Sequence, residues 1–214
     1  MTSYDVGTLK QEILIALDMN MTSDALSELG DVDTLSLDEI VKSKIADAAT
    51  IVLRDAPPYL LDEGDEMELE FSVDGIVSDC GRAKLPDDFL RLVAIKMNSW
   101  RRSLNVAISE DSPLYAQQRS RFAGIRGSNE KPVAAIVHGS DGMYVECYPH
   151  GGGVAYARYI PRPFIESSQS GESIWLCSKL ERAVVYYAAY LAASAIQHSE
   201  QASALLAIAQ EAMK

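Results

Sequence analysis

Three histidines, three cysteines and a dense run of carboxylates are the groups in this chain best suited to chemistry. His138, His150 and His198 are of the right type to act as bases or metal ligands. No H-x-x-x-H or H-E-x-x-H spacing joins any two of them, however, and none lies near a cysteine. The stretch His150-Gly-Gly-Gly153 is a loop whose backbone amides are free to receive a developing negative charge. Its partner would be a serine in a G-x-S-x-G turn, and the only comparable stretch, Gly139-Ser140-Asp141-Gly142, has the wrong spacing. The two glycine segments therefore predict hairpin loops. Cys80, Cys147 and Cys177 are odd in number and none belongs to a C-x-x-C pair. That pattern excludes a disulfide framework and a four-thiolate zinc site, and predicts reduced, packed thiols.

Asp62, Glu63, Asp65, Glu66, Glu68 and Glu70 form the densest acidic run. A calcium loop needs D-x-D-x-D-G with a closing glutamate, which this run lacks. If residues 66–73 are a strand, Glu66, Glu68 and Glu70 share one face. They predict a solvated surface, or one that repels DNA. Trp100, Arg101 and Arg102, with Arg119, Arg121 and Arg126, have the composition of a phosphate-binding patch. Ion pairing between subunits explains the arginines better, because the chain carries so much acid of its own. There is no Walker sequence and no G-x-G-x-x-G opening a helix. No catalytic residue, cofactor site or metal site is expected.

The formal net charge of −12 is unevenly spread. Residues 1–75 hold 18 acidic and 4 basic side chains, so that segment repels DNA phosphates rather than binding them. The N-terminus has no basic region ahead of its apolar residues and is not expected to be a secretory signal. The longest apolar run, Ala183–Ala193, is about half of the ~20 residues a membrane span needs.

The elements that would position these groups follow from periodicity. Val6, Leu9, Ile13, Ala16 and Leu17 make one helical stripe over residues 5–19. A loop with a turn of helix around Ala25–Leu29 follows. A capping box, Ser36 and Glu39, opens a second helix that Pro57 and Pro58 end. Glu66–Val73 alternates as a strand, with Met67, Leu69, Phe71 and Val73 inward and Asp74-Gly75 turning it back. Residues 82–86, 90–97, 101–107, 133–138, 143–148 and 154–160 predict further strands. Ser112-Pro113 opens a short helix reaching about Phe122. Ser178 and Glu181 cap a final apolar stripe running to Met213, which if unbroken makes a helix of about 50 Å at ~1.5 Å per residue. The expected fold is α+β. Residues 1–60 and 172–214 form a helical bundle, and residues 61–171 form an inserted, mainly antiparallel β domain.

The last helix carries Tyr186, Tyr187 and Tyr190 beside alanines at 188, 189, 192, 193 and 195. Small residues allow close helix approach and tyrosines supply amphipathic contact area. Together they predict more contact surface than one molecule can cover. Tyr186, Tyr187, Tyr190, Arg119 and Arg121 are the candidate subunit contacts.

One middle segment carries a likeness. Leu85-Pro-Asp-Asp-Phe-Leu-Arg-Leu-Val93, Met97-Asn-Ser-Trp-Arg-Arg102, Tyr115, Gln118, Pro132-Val133 and Met143-Tyr-Val-Glu-Cys-Tyr-Pro149 are similar to segments of phage adaptor proteins. The chain resembles head–tail connector proteins of podovirus-like phages, most nearly the ring proteins of crass-like phages and more distantly tail tubular protein A. The resemblance covers about residues 80–165. It implies a non-enzymatic ring of about twelve copies, stacked on the portal protein with tail or further ring proteins below. DNA would pass through without specific binding, and no membrane would be involved. The expected location is the head–tail interface of the virion, assembled in the bacterial host cytoplasm. Two other functions compete with it: a small acidic hydrolase using the His150 loop, and a monomeric helical adaptor that binds one partner.

Overall fold

The computed structural model describes residues 1–18, 37–73, 79–169 and 171–214. The expected turn of helix at 25–29, the Ser36 half of the first capping box and the Asp74-Gly75 turn lie outside the described residues. The chain divides into two compact units: Met1–Asp62 with Arg162–Lys214, and Glu63–Pro161.

The first unit opens with strand β1 (Thr2–Asp5) and helix α1 (Val6–Asp18). Asp5 ends the strand and starts the helix, because its carboxylate accepts from the Thr8 amide at 2.7 Å and from the Thr8 hydroxyl at 3.0 Å. All five residues of the α1 stripe are buried. Helix α2 (Leu37–Asp55) buries Val41, Ile45, Ala48, Ala49, Val52 and Leu53 on one side. Each of its larger side chains contributes on the order of 1.5–3 kcal/mol by leaving water.

The second unit contains strands β2 (Asp65–Glu66), β3 (Ser72–Val73), β4 (Gly81–Lys84), β5 (Phe89–Met97) and β6 (Ile108–Ser109). After a short helix α3 (Pro113–Gln118) come β7 (Val133–Gly139), β8 (Gly142–Tyr148) and β9 (Val154–Pro161). They form two sheets, ordered β2-β9-β5 and β3-β4-β8-β7-β6. One core lies between them, built on Met67, Leu85, Phe89, Ile95, Trp100 and Val145 among others. Every pairing in these two sheets is antiparallel except β6 with β7.

The chain then returns to the first unit through β10 (Ile165–Ser168) and β11 (Gly171–Leu176), which form a sheet with β1 in the order β1-β11-β10. Helices α4 (Glu181–Ala195) and α5 (Ser199–Ala212) complete it. Helices α1, α2 and α4 pack against one another, and α5 packs on α4.

The expected fold class is overturned. Among the described residues there are five helices and eleven strands in three sheets, so the fold is mixed α/β and rich in strand. It is not a helical bundle carrying a β insertion, since the unit that holds the long helices has its own sheet. Nor is there a long C-terminal helix. The stripe from 180 to 213 is broken at Ile196–His198, where Gln197 takes a φ of 62°. The His198 amide donates to the Ala193 carbonyl at 3.0 Å and the Gln197 amide to the Ser194 carbonyl at 3.2 Å. These are the two bonds of a Schellman helix end, in which a left-handed residue satisfies the last carbonyls.

The chain folds back there. Lys179, just before α4, donates to the Tyr59 carbonyl at 3.1 Å, while the Tyr59 hydroxyl donates to the carbonyl of Lys214. The start of α4 and the end of α5 thus meet at one residue. This hairpin was not legible because glycine, the usual left-handed residue at such an end, is replaced by glutamine. Gln197→Gly is expected to raise stability by up to ~1 kcal/mol, read as a higher urea midpoint, because glycine tolerates positive φ without strain. In an unbroken helix the same change would lower it by about 1 kcal/mol.

Smaller corrections concern the strands and caps. Glu66–Val73 is not one strand: residues 67–71 leave the ladder between β2 and β3, and Val73 is exposed rather than inward. Residues 101–107 make a single bridge, Leu104 to Ile95, in place of the expected strand. Helix α3 ends four residues early, at Gln118, and a 3-10 turn over Ala123–Ile125 follows. Ser178 makes no capping bond and instead begins a 3-10 turn ahead of α4.

Candidate functional site

The residues singled out for hydrolysis are held apart. Ser140 and Asp141 lie at the tip of the β7–β8 hairpin, and His150 follows the other end of β8. Seven strand residues at ~3.3 Å each place them roughly 20 Å from His150. Asp141 is engaged locally, accepting from the Tyr144 hydroxyl at 2.7 Å. His150 stacks on Phe71 with ring centroids 5.4 Å apart. The His150 loop packs beside the Trp100 segment: the Trp100 indole donates to the Pro149 carbonyl at 2.9 Å, and the Asn98 side-chain amide to the Gly152 carbonyl at 2.5 Å. His138 sits 2.8 Å from Glu110, and His198 lies at the α4–α5 turn rather than on a continuous apolar stripe.

No group of three or more His, Cys, Asp or Glu suited to a metal occurs among the described residues. Cys80, Cys147 and Cys177 are all buried, and no disulfide joins them. Burial pushes the Cys147 thiol well above the ordinary range, which keeps it protonated and inert.

The most organised polar group lies elsewhere, on the outer side of the five-stranded sheet. Along β8, Val145 and Cys147 point into the core while Glu146 and Tyr148 point the opposite way, as strand alternation requires. Glu146 is 1 % exposed. Its carboxylate accepts from the Tyr148 hydroxyl at 2.6 Å and from the Tyr115 hydroxyl at 3.0 Å, and Arg119 approaches to 3.6 Å. Tyr115 and Arg119 are four residues apart, so they descend from the same side of α3. Gln118, on that side too, is buried, and its side-chain oxygen accepts from the Gly127 amide at 2.7 Å. Ser112 caps the start of α3 by accepting from the Leu114 amide at 3.3 Å.

The segment from Ser112 to Gly127 is therefore pinned to the sheet from within. Its other side is apolar and open: Leu114 is 51 % exposed, Phe122 76 % and Ile125 53 %. Arg121, next to Phe122, is exposed and has no acidic partner among the described residues. Three large apolar side chains are thus exposed within one short segment.

Tyr115 is pushed up to about 12, first by burial and then by the charge and hydrogen bond of Glu146. Burial and the Asp88 hydrogen bond push Tyr159 up to about 12 as well. Burial moves Tyr148 in the same direction. Between pH 10 and 12 the folded chain keeps phenol protons that the unfolded chain has lost. Their contribution is whole below pH 10 and disappears as pH rises through 12. Urea midpoints are expected to fall across that window, with tyrosinate absorbance appearing late and together with unfolding.

The acidic run lies on another side of the same unit. Met67 is in the core, with Leu69 and Phe71 packed against it, while Glu66, Glu68 and Glu70 are exposed. The run crosses from β2, an edge of one sheet, to β3, an edge of the other. Arg158 binds Glu63 at 2.8 Å and Glu66 at 3.2 Å. Asp65, Glu68 and Glu70 face no cation among the described residues.

The other subunit-contact candidates are placed differently from what their spacing suggested. Tyr186, Tyr187 and Tyr190 are half-buried, and Tyr187 meets Tyr190 edge-on at 5.4 Å. Ala188, Ala189, Ala192 and Ala193 are fully covered within the chain, whereas Ala195 is exposed. Much of the alanine-rich face is covered by the chain's own helices, with α5 folded back on α4. Arg119 points inward to Glu146, and only Arg121 of the pair faces out. The Glu146 network and the exposed Phe122 and Ile125 escaped notice in the sequence. The available signal was a lone carboxylate in an apolar strand, flanked two residues away on either side by Tyr144 and Tyr148.

No family model matches this chain, and no curated protein sequence matches it.

Proposed function

We propose that this protein is a structural subunit of a phage head–tail connector ring, joining the portal to the tail in the virion and surrounding the DNA path. The observation that carries the proposal is the pinned segment Ser112–Gly127. A buried carboxylate, two tyrosines and an arginine are committed to holding it, yet it presents Leu114, Phe122 and Ile125 to solvent. Rigid display of apolar side chains suits a permanent protein–protein contact, since little ordering entropy is left to lose on docking. The likeness of residues 85–149 to connector proteins supplies the kind of assembly. The acidic run adds to it, because exposed Glu68 and Glu70 repel DNA phosphates and let a duplex pass without sticking.

A hydrolase using His150 with Ser140 or Asp141 has no support from the geometry, given their separation along β8. In a genetic test, host cells infected by phage lacking this chain are expected to accumulate filled heads and tails as separate bodies. Intact, infectious particles from that infection would overturn the proposal.

A further inference from the structure

Resting on that reading of the Ser112–Gly127 segment as a docking surface, we infer that its occupant is the acidic Asp65–Glu70 edge of a second copy of the same chain. Charge complementarity identifies the occupant. Arg102 and Arg121 are exposed and without acidic partners among the described residues, and Arg101 in the first of their two loops pairs with Glu130 across a contact between those loops. The Arg101 amide donates to the Asn129 carbonyl at 2.9 Å, which ties the Trp100 loop to the loop after Ile125. Arg102 and Arg121 thus bring unpaired positive charge to the loops that carry Phe122 and Ile125, with Asp79 and Asp111 as the exposed carboxylates on or beside them. On the crossing from β2 to β3, Asp65, Glu68 and Glu70 gather unpaired negative charge.

The two surfaces are carried by different elements, the basic one by the Trp100 loop and the Ser112–Gly127 segment, the acidic one by the crossing from β2 to β3. A surface that is complementary to a different part of the same molecule joins copies head to tail, and such contacts close into rings when their rotation permits. Two identical faces meeting would instead bring Arg121 against Arg121, which like-charge repulsion opposes.

Two cysteine variants of the full chain test this with a short bismaleimide cross-linker. Gly124→Cys marks the basic segment, where a Cβ meets open space, and Ser72→Cys marks the acidic edge. The native cysteines are buried and do not compete. Mixing the two variants at high concentration and low salt is expected to give a heterodimer carrying one of each. Adding Glu68→Lys and Glu70→Lys to the Ser72→Cys chain is expected to cut its yield about tenfold. Adding Arg102→Glu and Arg121→Glu to the Gly124→Cys chain as well is expected to restore it. Absence of the heterodimer, a predominance of Gly124→Cys homodimers, or failure of the doubly reversed pair to restore the product would overturn the inference. A ring seen on the portal with no such cross-link would leave the connector function standing and remove this contact. The cross-link without any portal-bound ring would do the reverse.

Discussion

Glu146→Ala is expected to destabilise the Glu63–Pro161 unit by about 2–3 kcal/mol, chiefly the cost of leaving two covered hydroxyls without their acceptor. The hydroxyls are those of Tyr115 and Tyr148, and Arg119 loses its contact with the carboxylate in the same step. The loss should be local in its first consequence. With Tyr115 and Arg119 released, the segment Ser112–Gly127 detaches before the sheet unfolds, and trypsin gains access to Arg119, Arg121 and Arg126. Glu146→Gln keeps an acceptor for one hydroxyl and is expected to recover about half of the loss. Equal trypsin resistance in Glu146→Ala and the parent chain would show that the network does not hold the segment. Assembly should fail in Glu146→Ala even at temperatures where the rest of the unit stays folded, because the apolar side chains no longer share one fixed surface.

Leu205→Ala is the second large effect, with an expected cost of 2–5 kcal/mol. Leu205 is fully buried on α5, which packs on α4, so its removal opens a cavity inside the hairpin. A long single helix would put Leu205 well beyond α4, and the same substitution would then cost well under 1 kcal/mol in an isolated chain. Urea unfolding of the purified protein separates these outcomes. Because Leu205 lies in the helical unit and Ser112–Gly127 in the other, Leu205→Ala should leave the bismaleimide heterodimer intact under conditions where both units are folded.

Particular residues show where the sequence was legible. The stripe of α1 follows helical periodicity so closely that its buried residues could be named in advance, and Pro57-Pro58 marked the end of α2. The β7–β8 hairpin was equally plain, since two alternating strands flank a Gly-Ser-Asp-Gly turn. Legibility failed where a decision depended on partners far along the chain. Thr2–Asp5 becomes a strand only because β11, about 170 residues later, offers it an edge. Residues 67–71 keep the alternation of a strand, with Met67 inward and Glu68 outward, yet past the Met67 amide's bond to the Ala157 carbonyl they form no ladder. Their alternation comes from packing on the core while the chain crosses between two sheets.

The same limit governed the site. Arg119 and Arg121 are of the same type and two residues apart, so nothing local separates them. Their opposite directions follow from Glu146, a residue on another element whose burial is a tertiary fact. Tyr186, Tyr187 and Tyr190 stay half-exposed beside an alanine-rich face for which α5 of the same chain supplies much of the cover. Phe122 and Ile125, exposed on a short segment of the β unit, look unremarkable in a sequence of loops.

The most direct measurement is electron microscopy of the purified protein mixed with portal rings from the phage that encodes it. An additional ring of density stacked on one end of the portal, with the β unit of each copy touching the next, is the expected result. Bare portals beside unbound chains, under conditions where the protein is folded by urea titration, would contradict the account.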